Sequence, residues 1–418
     1  MALEPKPTTL RLKLSFSKDK KIRRSLQITG SKSETNRALL LRALFPSIEI
    51  RNLSNSDDGQ YMQKGISKES GEVDIHHAGT AMRFLTAYFA CQPGKEVLLT
   101  GSQRMKERPI GILVGALREL GADIEYVGEE GYPPLKIKGR KLSRSKVSLP
   151  ANISSQYISA LLLIAPVLDH GLELELTGEM TSVPYIRMSL GLLGEIGVKT
   201  SFVGNLIKVG PKAQVDPCLL VVESDWSSAS YFYSIAALAE AGTQIRLSSY
   251  KRDSLQGDSV LAKIYRDFGV HTSHSGQEIL LEKKGDALPA QVEYDLTDAP
   301  DIAQTLAVSC MGLGMACQLH GLHTLPIKET DRLAALEREM SKFGARVSTD
   351  GKSLALQPLG SLKSGVAVDT YNDHRMAMAF APLALKTELF IKDAGVVSKS
   401  YPDFWKDLGE LGFSLEEA

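Results

Sequence analysis

The chain has 418 residues, 43% of them hydrophobic, enough for the cores of two or three domains and too many for a disordered protein. Lys and Arg together number 49, as do Asp and Glu, so the formal net charge is zero and a general polyanion or membrane-surface binder is excluded. No apolar run approaches the ~20 residues of a membrane helix, and the start MALEPKPTTL shows no signal-peptide pattern. Cys91, Cys218, Cys310 and Cys317 form no CxxC pair and no Cys/His metal spacing, and three of them sit in apolar, helix-like runs. Buried reduced thiols in a cytoplasmic protein are expected, with no metal and no cofactor.

Alternation at Leu10, Leu12, Leu14 and Phe16 predicts a strand, and the basic run Lys18, Lys20, Lys21, Arg23 and Arg24 reads as a solvated turn between two strands. NRALLLRALF, after Ser31, predicts a helix that is apolar nearly all round. Its lead-in GSKSETNR lacks the GxxxxGK[ST] spacing of a nucleotide P-loop, and Ser33 can serve as an ordinary N-cap. Asp57 and Asp58 can cap a short helix in a brief segment that ends at His77. His76 and His77, adjacent on one strand, face opposite ways and do not suit a shared metal. A second apolar helix, TAMRFLTAYFA, begins at Gly79, and RMKERP then sets Arg104, Lys106 and Arg108 ahead of a helix opened by Pro109.

From there the chain repeats itself. Amphipathic segments stop at Gly121, Gly197, Gly269, Gly344 and Gly412, each followed by a strand-like stretch, at spacings of 76, 72, 75 and 68 residues. Glycine just past the last turn is the residue a left-handed helix cap requires. Before and between these stops lie the more apolar helices, six in all, beginning near Ser31, Gly79, Ser154, Asp225, Asp298 and Asn372. Six such units form either one ring or two domains of three. The length favours two α/β domains, each with three buried parallel helices inside and sheets outside, the first unit being cut short.

A buried helix start leaves unpaired N–H groups and a partial positive charge, which suits an anion. If all six buried helices point one way, their polar starts converge. KETDR puts Lys328 and Arg332 at i,i+4 on one predicted helix face, either neutralised by Glu329 and Asp331 or holding an anion between them. In YNDHRMAM, His374 and Arg375 open a buried helix, where positive charge opposes the dipole and calls for an anion.

The segments GSKS..NR, NLSNSDD, AGTAMR, TGSQRMKERPIG, YPPL, SSQ, PYI, SSASYF, SLQGD, KETDRL, YNDHRMAM and SKSYPDFW, from about Gly30 to Trp405, together resemble the EPSP synthase family of enolpyruvyl transferases. The resemblance implies two pseudo-threefold domains of βαβαββ-type units, an N-terminal one over 30–223 and a discontinuous one of 1–29 with 224–418. It implies transfer of the enolpyruvyl group of phosphoenolpyruvate to the 5-hydroxyl of shikimate 3-phosphate, in the shikimate pathway, and inhibition by glyphosate. By motif match, Lys32, Ser33, Arg37, Ser154, Ser155, Gln156, Ser182, Tyr185, Asp301, Thr324 and Lys328 would hold shikimate 3-phosphate. Lys32, Gly79, Arg108, Gln156, Arg332, Arg375 and Lys399 would hold phosphoenolpyruvate. Asp301 matches the proton acceptor, and Glu329 and Lys32 are candidates to serve the methylene carbon, with His374 behind them. A monomer in the bacterial cytoplasm is expected, without nucleic-acid or membrane partners.

Thr29, His77 and Phe84 depart from residues common in the family (proline, asparagine and proline), which bears on affinity and glyphosate sensitivity. Two rivals remain. A UDP-N-acetylglucosamine enolpyruvyl transferase would carry a reactive cysteine where RMKERP has none. A non-catalytic binding paralogue would not need Lys32, Asp301, Glu329 and Lys399 together.

Overall fold

The structure, a computed structural model, describes residues 10–16, 21–151, 154–178, 180, 182–285 and 287–418. The turn expected at Lys18 and Lys20 lies outside the described residues. Two compact units result: Thr29–Glu223, and a discontinuous unit of Met1–Ile28 with Ser224–Ala418.

In the unit Thr29–Glu223 the helices are α1 (Lys32–Leu44), α2 (Asp57–Ile66), α3 (Gly79–Ala90), α4 (Gln103–Lys106), α5 (Gly111–Leu120), α6 (Ser155–Ile164) and α7 (Val183–Glu195). All of α3 is buried, and so is α6 from Tyr157 onward, as sequences without a polar stripe require. One sheet runs Ser70–Asp74, Glu96–Thr100, Leu135–Lys138, Asp123–Tyr126; a second runs Thr200–Val203, Leu206–Val209, Leu172–Thr177, Lys146–Pro150. Each holds one parallel and two antiparallel pairings. The third sheet has only Cys218–Val221 paired parallel with Ile48–Arg51 among the described residues, which is the shortened first unit in structural form.

The other unit holds α8 (Trp226–Leu238), α9 (Leu261–Ile264), α10 (Ala303–Leu313), α11 (Arg332–Lys342), α12 (His374–Phe380) and α13 (Phe404–Glu410). Its three sheets each show four strands among the described residues. Strand Leu12–Ser15 lies between Leu389–Ile391 and Ser414–Glu417, and strand Arg23–Leu26 pairs with Gln244–Ser248. Helices α8, α10 and α12 are buried along most or all of their length and share one apolar core.

The five repeat glycines all have positive φ, from 72° at Gly269 to 108° at Gly121. Gly121, Gly197, Gly344 and Gly412 end α5, α7, α11 and α13 in the conformation that glycine adopts without strain, while α9 stops at Ile264 and Gly269 closes the turn after it. Gly30 is required for a different reason: a Cβ there would stand within 1.8 Å of the Asn52 carbonyl oxygen. Several local expectations are corrected. Of the cysteines, Cys310 lies within a helix and Cys91 directly follows one, while Cys218 and Cys317 are on strands; all four are free thiols. Helix α5 starts at Gly111 rather than at Pro109, because α4 and a turn intervene.

Candidate functional site

In the unit Thr29–Glu223 the predicted residues gather at the starts of α1, α3, α6 and α7. Helix α1 begins at Lys32, and the preceding Ser31 makes no side-chain cap, so Ser33 is inside the first turn and is not the N-cap. Lys32 Nζ stands 3.8 Å from Asp58, a partner that sequence reasoning missed. Ser56, not Asp57 or Asp58, caps α2 by accepting from Gly59 N. Arg37 is buried and all its guanidinium nitrogens are engaged: Nε donates to Ser189 Oγ (2.8 Å), Nη1 to the Ser33 carbonyl (2.7 Å), and Nη2 to Ser159 Oγ (2.9 Å) and the Tyr185 carbonyl (3.3 Å). Burial pulls its pKa down to about 10, against the pull of Tyr185 and Glu34. Arg37 therefore ties Ser33 to Tyr185, and Ser182, in the left-handed region at φ 55°, sits just before α7.

A second group surrounds Gly79. Arg108 lies across it so closely that an added Cβ would meet Nη1 at 2.6 Å. Arg83 donates to the Gly79 and Pro109 carbonyls, and Tyr157 Oη donates to the Pro109 carbonyl at 2.5 Å, fixing the arginine-bearing loop to α3 and α6. Ser154 caps α6 through Gln156 N, with Ser155 as the first helical residue, and Gln156 Nε2 donates to Thr80 Oγ1 (3.3 Å). Phe84, at 0% exposure, sets its ring 5.4 Å below the Arg37 guanidinium, which gives that departure from the family a packing role. The Nδ1 atoms of His76 and His77 approach to 2.7 Å, and His77 Nε2 lies 3.8 Å from Asp57.

The discontinuous unit holds a denser cluster. Helix α11 begins only at Arg332, capped by Asp331 Oδ1 accepting from Ala334 N, so Lys328 lies outside it and the expected helical i,i+4 pair is absent. The two cations are instead joined by Asp301 Oδ1, at 3.7 Å from Lys328 Nζ and 2.9 Å from Arg332 Nη1. Arg332, 2% exposed, also donates through Nη2 to Glu329 (2.8 Å) and through Nε to Asp373 (2.7 Å). The positive charge opening α12 is met from within the chain. Asp373 caps that helix through Arg375 N, and Arg375 Nη2 reaches Asp301 Oδ2 at 3.0 Å.

Burial pushes the Asp301 carboxyl up, but Arg375, Lys328 and Arg332 outweigh it and hold the group well below the carboxylate range. Burial likewise lowers Arg332, and Asp373, Glu329 and Asp301 more than reverse it. Such a carboxylate is fully ionised. Thr324 precedes the turn that carries Lys328, and its buried Oγ1 has no hydrogen-bond partner among the described residues. Tyr371 and Asn372 are both left-handed (φ 52° and 59°), a costly run braced by Tyr371 Oη donating to Glu339 (2.6 Å) and Lys399 Nζ donating to the Asn372 carbonyl (2.7 Å) and Oδ1 (2.6 Å). Lys399 thus holds the turn that presents Asp373, His374 and Arg375. Sequence reasoning gave no signal for Glu339, whereas Asp373 stands with Asn372, His374 and Arg375 among the polar residues at this helix start.

The family described as EPSP synthase (3-phosphoshikimate 1-carboxyvinyltransferase) matches residues 61–408. A protein of Bacteroides fragilis named 3-phosphoshikimate 1-carboxyvinyltransferase is 45% identical over 416 residues, covering 96% of this chain and 98% of that one. A protein of Aliivibrio fischeri with the same name is 36% identical over 421 residues, covering 94% and 97%. Among solved structures, EPSP synthase from Acinetobacter baumannii superposes with a TM-score of 0.78 at 19% identity, over 98% of this chain and 100% of that one. The enolpyruvyl transferase NikO from Streptomyces tendae superposes with a TM-score of 0.73 at 14% identity, over the same shares. These two likenesses speak to the fold alone.

Proposed function

The chain belongs to the EPSP synthase (3-phosphoshikimate 1-carboxyvinyltransferase) family, and from that premise we propose that it joins phosphoenolpyruvate to the 5-hydroxyl of shikimate 3-phosphate, releasing phosphate. In this reading Ser33, Arg37, Ser154, Ser155, Gln156, Ser182, Tyr185, Thr324 and Lys328 receive shikimate 3-phosphate. Gly79, Arg108, Arg332, Arg375 and Lys399 receive phosphoenolpyruvate, and Lys32 and Gln156 touch both. Glyphosate competes on the phosphoenolpyruvate side. A monomeric state and a cytoplasmic location belong to the same proposal; no helix among the described residues is long and apolar enough to cross a membrane.

Asp301 takes the hydroxyl proton as that oxygen bonds to C2 of phosphoenolpyruvate, while Glu329 or Lys32 delivers a proton to the methylene carbon. Loss of that carbon's extra proton and of phosphate then restores the enol ether. The observation that carries this reading is the clamp of Arg332 and Arg375 on the two oxygens of Asp301. An anion sharing those guanidiniums weakens their hold on Asp301 and raises its basicity, so binding itself prepares the base. A phosphate-release assay tests it: release should require phosphoenolpyruvate and shikimate 3-phosphate together. Release with UDP-N-acetylglucosamine as acceptor would favour the rival transferase, and no release with either would favour a binding protein.

A further inference from the structure

The segment SLQGD (Ser254–Asp258) carries none of the proposed substrate contacts, yet it packs against the start of α8. Gln256 Oε1 accepts from Trp226 N (2.9 Å) and its Nε2 donates to the Ser224 carbonyl (3.0 Å), while Asp225 Oδ1 accepts from Ser228 N (2.8 Å). With the helix start thus satisfied, Asp258 is left for something else. Its carboxyl, 5% exposed, accepts from Ser227 Oγ at 2.5 Å. Ser227 Oγ in turn accepts from Arg375 Nη2 at 3.3 Å, the same nitrogen that donates to Asp301 Oδ2. A continuous chain therefore runs from a buried carboxyl through one hydroxyl to the guanidinium that grips the proposed base.

We propose that Asp258 is a positioning residue: through Ser227 it fixes Arg375 against Asp301, and the charge on its carboxyl sets how strongly Arg375 attracts phosphoenolpyruvate. This rests on the reading of Arg375 as a phosphoenolpyruvate ligand. A neutral Asp258 donates no opposing field, whereas an ionised one adds a second negative charge behind Arg375 and weakens its pull on an anion. The groups facing Asp258 are Asp225, the N-cap of α8, Ser227 within that helix, Asp301 on the turn Pro300–Ile302, and Arg375 on α12. Burial first, then Asp301 and Asp225, raise the Asp258 carboxyl, while Arg375 and Ser227 lower it, leaving it at about 7. Its charge accordingly changes across neutral pH.

The sign follows. As pH rises through neutrality Asp258 ionises, so KM for phosphoenolpyruvate in the native enzyme should rise relative to that of Asp258→Asn, whose amide still accepts from Ser227 but never ionises. His374 stands beside Arg375 and the substrate phosphate ionises in this range, so the quantity read is the ratio of the two KM values between about pH 6 and about pH 8.5. That ratio should grow roughly three- to tenfold, the size expected of one added charge near the ligand. Parallel profiles would overturn the proposal. Asp258→Ala removes the same ionisable carboxyl and should flatten the native profile in the same way, which keeps the test decisive if Asp258→Asn fails to fold; an Asp258→Ala profile parallel to native would also overturn it. Arg375→Lys separates the two levels of inference. If it leaves KM for phosphoenolpyruvate unchanged, the ligand reading itself is wrong; if it raises KM while Asp258→Asn runs parallel to native, only the role of Asp258 falls.

Discussion

Asp301→Asn removes the charge toward which Arg332 (2.9 Å), Arg375 (3.0 Å) and Lys328 (3.7 Å) are directed. The amide keeps the shape and one acceptor oxygen, but its NH2 group is forced toward a guanidinium. Removing one partner of a buried ion cluster costs about 3–5 kcal/mol. Here Arg332 retains Asp373 and Glu329, so the lower end of that range is expected. For a unit of this size each kcal/mol is about 2–4 °C, which predicts a midpoint lower by roughly 6–12 °C near neutral pH. The difference depends on pH in a defined direction. Because the folded pKa of Asp301 is depressed, its contribution is complete above the unfolded value of about 3.9 and is lost as pH falls through the folded value. Native protein and variant should therefore converge in strong acid. Turnover, read by phosphate release, should fall by roughly 10²–10⁴, the usual worth of a positioned base, while calorimetry still detects shikimate 3-phosphate binding. A near-normal rate would take the base role from Asp301, and equal midpoints at neutral pH would refute the ion cluster as a source of stability.

Gly79→Ala places a methyl group against Arg108, whose flexible end must move; KM for phosphoenolpyruvate should rise about tenfold, or roughly 1.4 kcal/mol, with kcat less affected, and an unchanged KM in steady-state assays would remove Arg108 from this subsite. Phe84→Ala empties a fully buried site beneath Arg37, so denaturant unfolding should show a loss of about 3–5 kcal/mol, and a loss under about 1 kcal/mol would contradict the packing described. Phe84→Pro introduces the residue that the resemblance leads one to expect at this position and should alter the glyphosate inhibition constant; an identical constant would make the substitution irrelevant to inhibition. Asp331→Ala deletes the cap of α11 directly before Arg332, and thermal melts should report about 1 kcal/mol of lost stability.

What the sequence disclosed was periodic or local. Glycine stops at 68- to 76-residue spacing and helices without a polar stripe both follow from rules acting over one or two turns, and the structure has them where expected. The site resisted where its bonds join distant residues. Arg332 and Asp373 are 41 residues apart, and Ser227 and Asp258 are 31 apart, separations at which no periodicity reports a contact. Local competition accounts for other differences. Asp331 is a better cap than anything upstream, so α11 starts there and Lys328 is left out of the helix. In α1 the position before the first turn falls on Ser31, so Ser33 lies inside the helix rather than at its cap. The apparent need for an outside anion at α12 had the same origin, because Asp301 lies 74 residues from Arg375.

The insertion of Thr29–Glu223 into the other unit has a consequence for synthesis on the ribosome. Strand Leu12–Ser15 is made long before both neighbours it needs, Leu389–Ile391 and Ser414–Glu417. At about 5–20 residues per second, that strand waits on the order of 20–80 s for partners. The inserted unit draws all its described strand pairings from within its own span and can close long before. During that interval Leu12 and Leu14, both buried in the finished protein, are exposed on an unpaired strand. Helper proteins that shield nascent apolar segments would thus find their longest-lived target at the amino-terminal end of the chain, far in sequence from the residues that complete its fold.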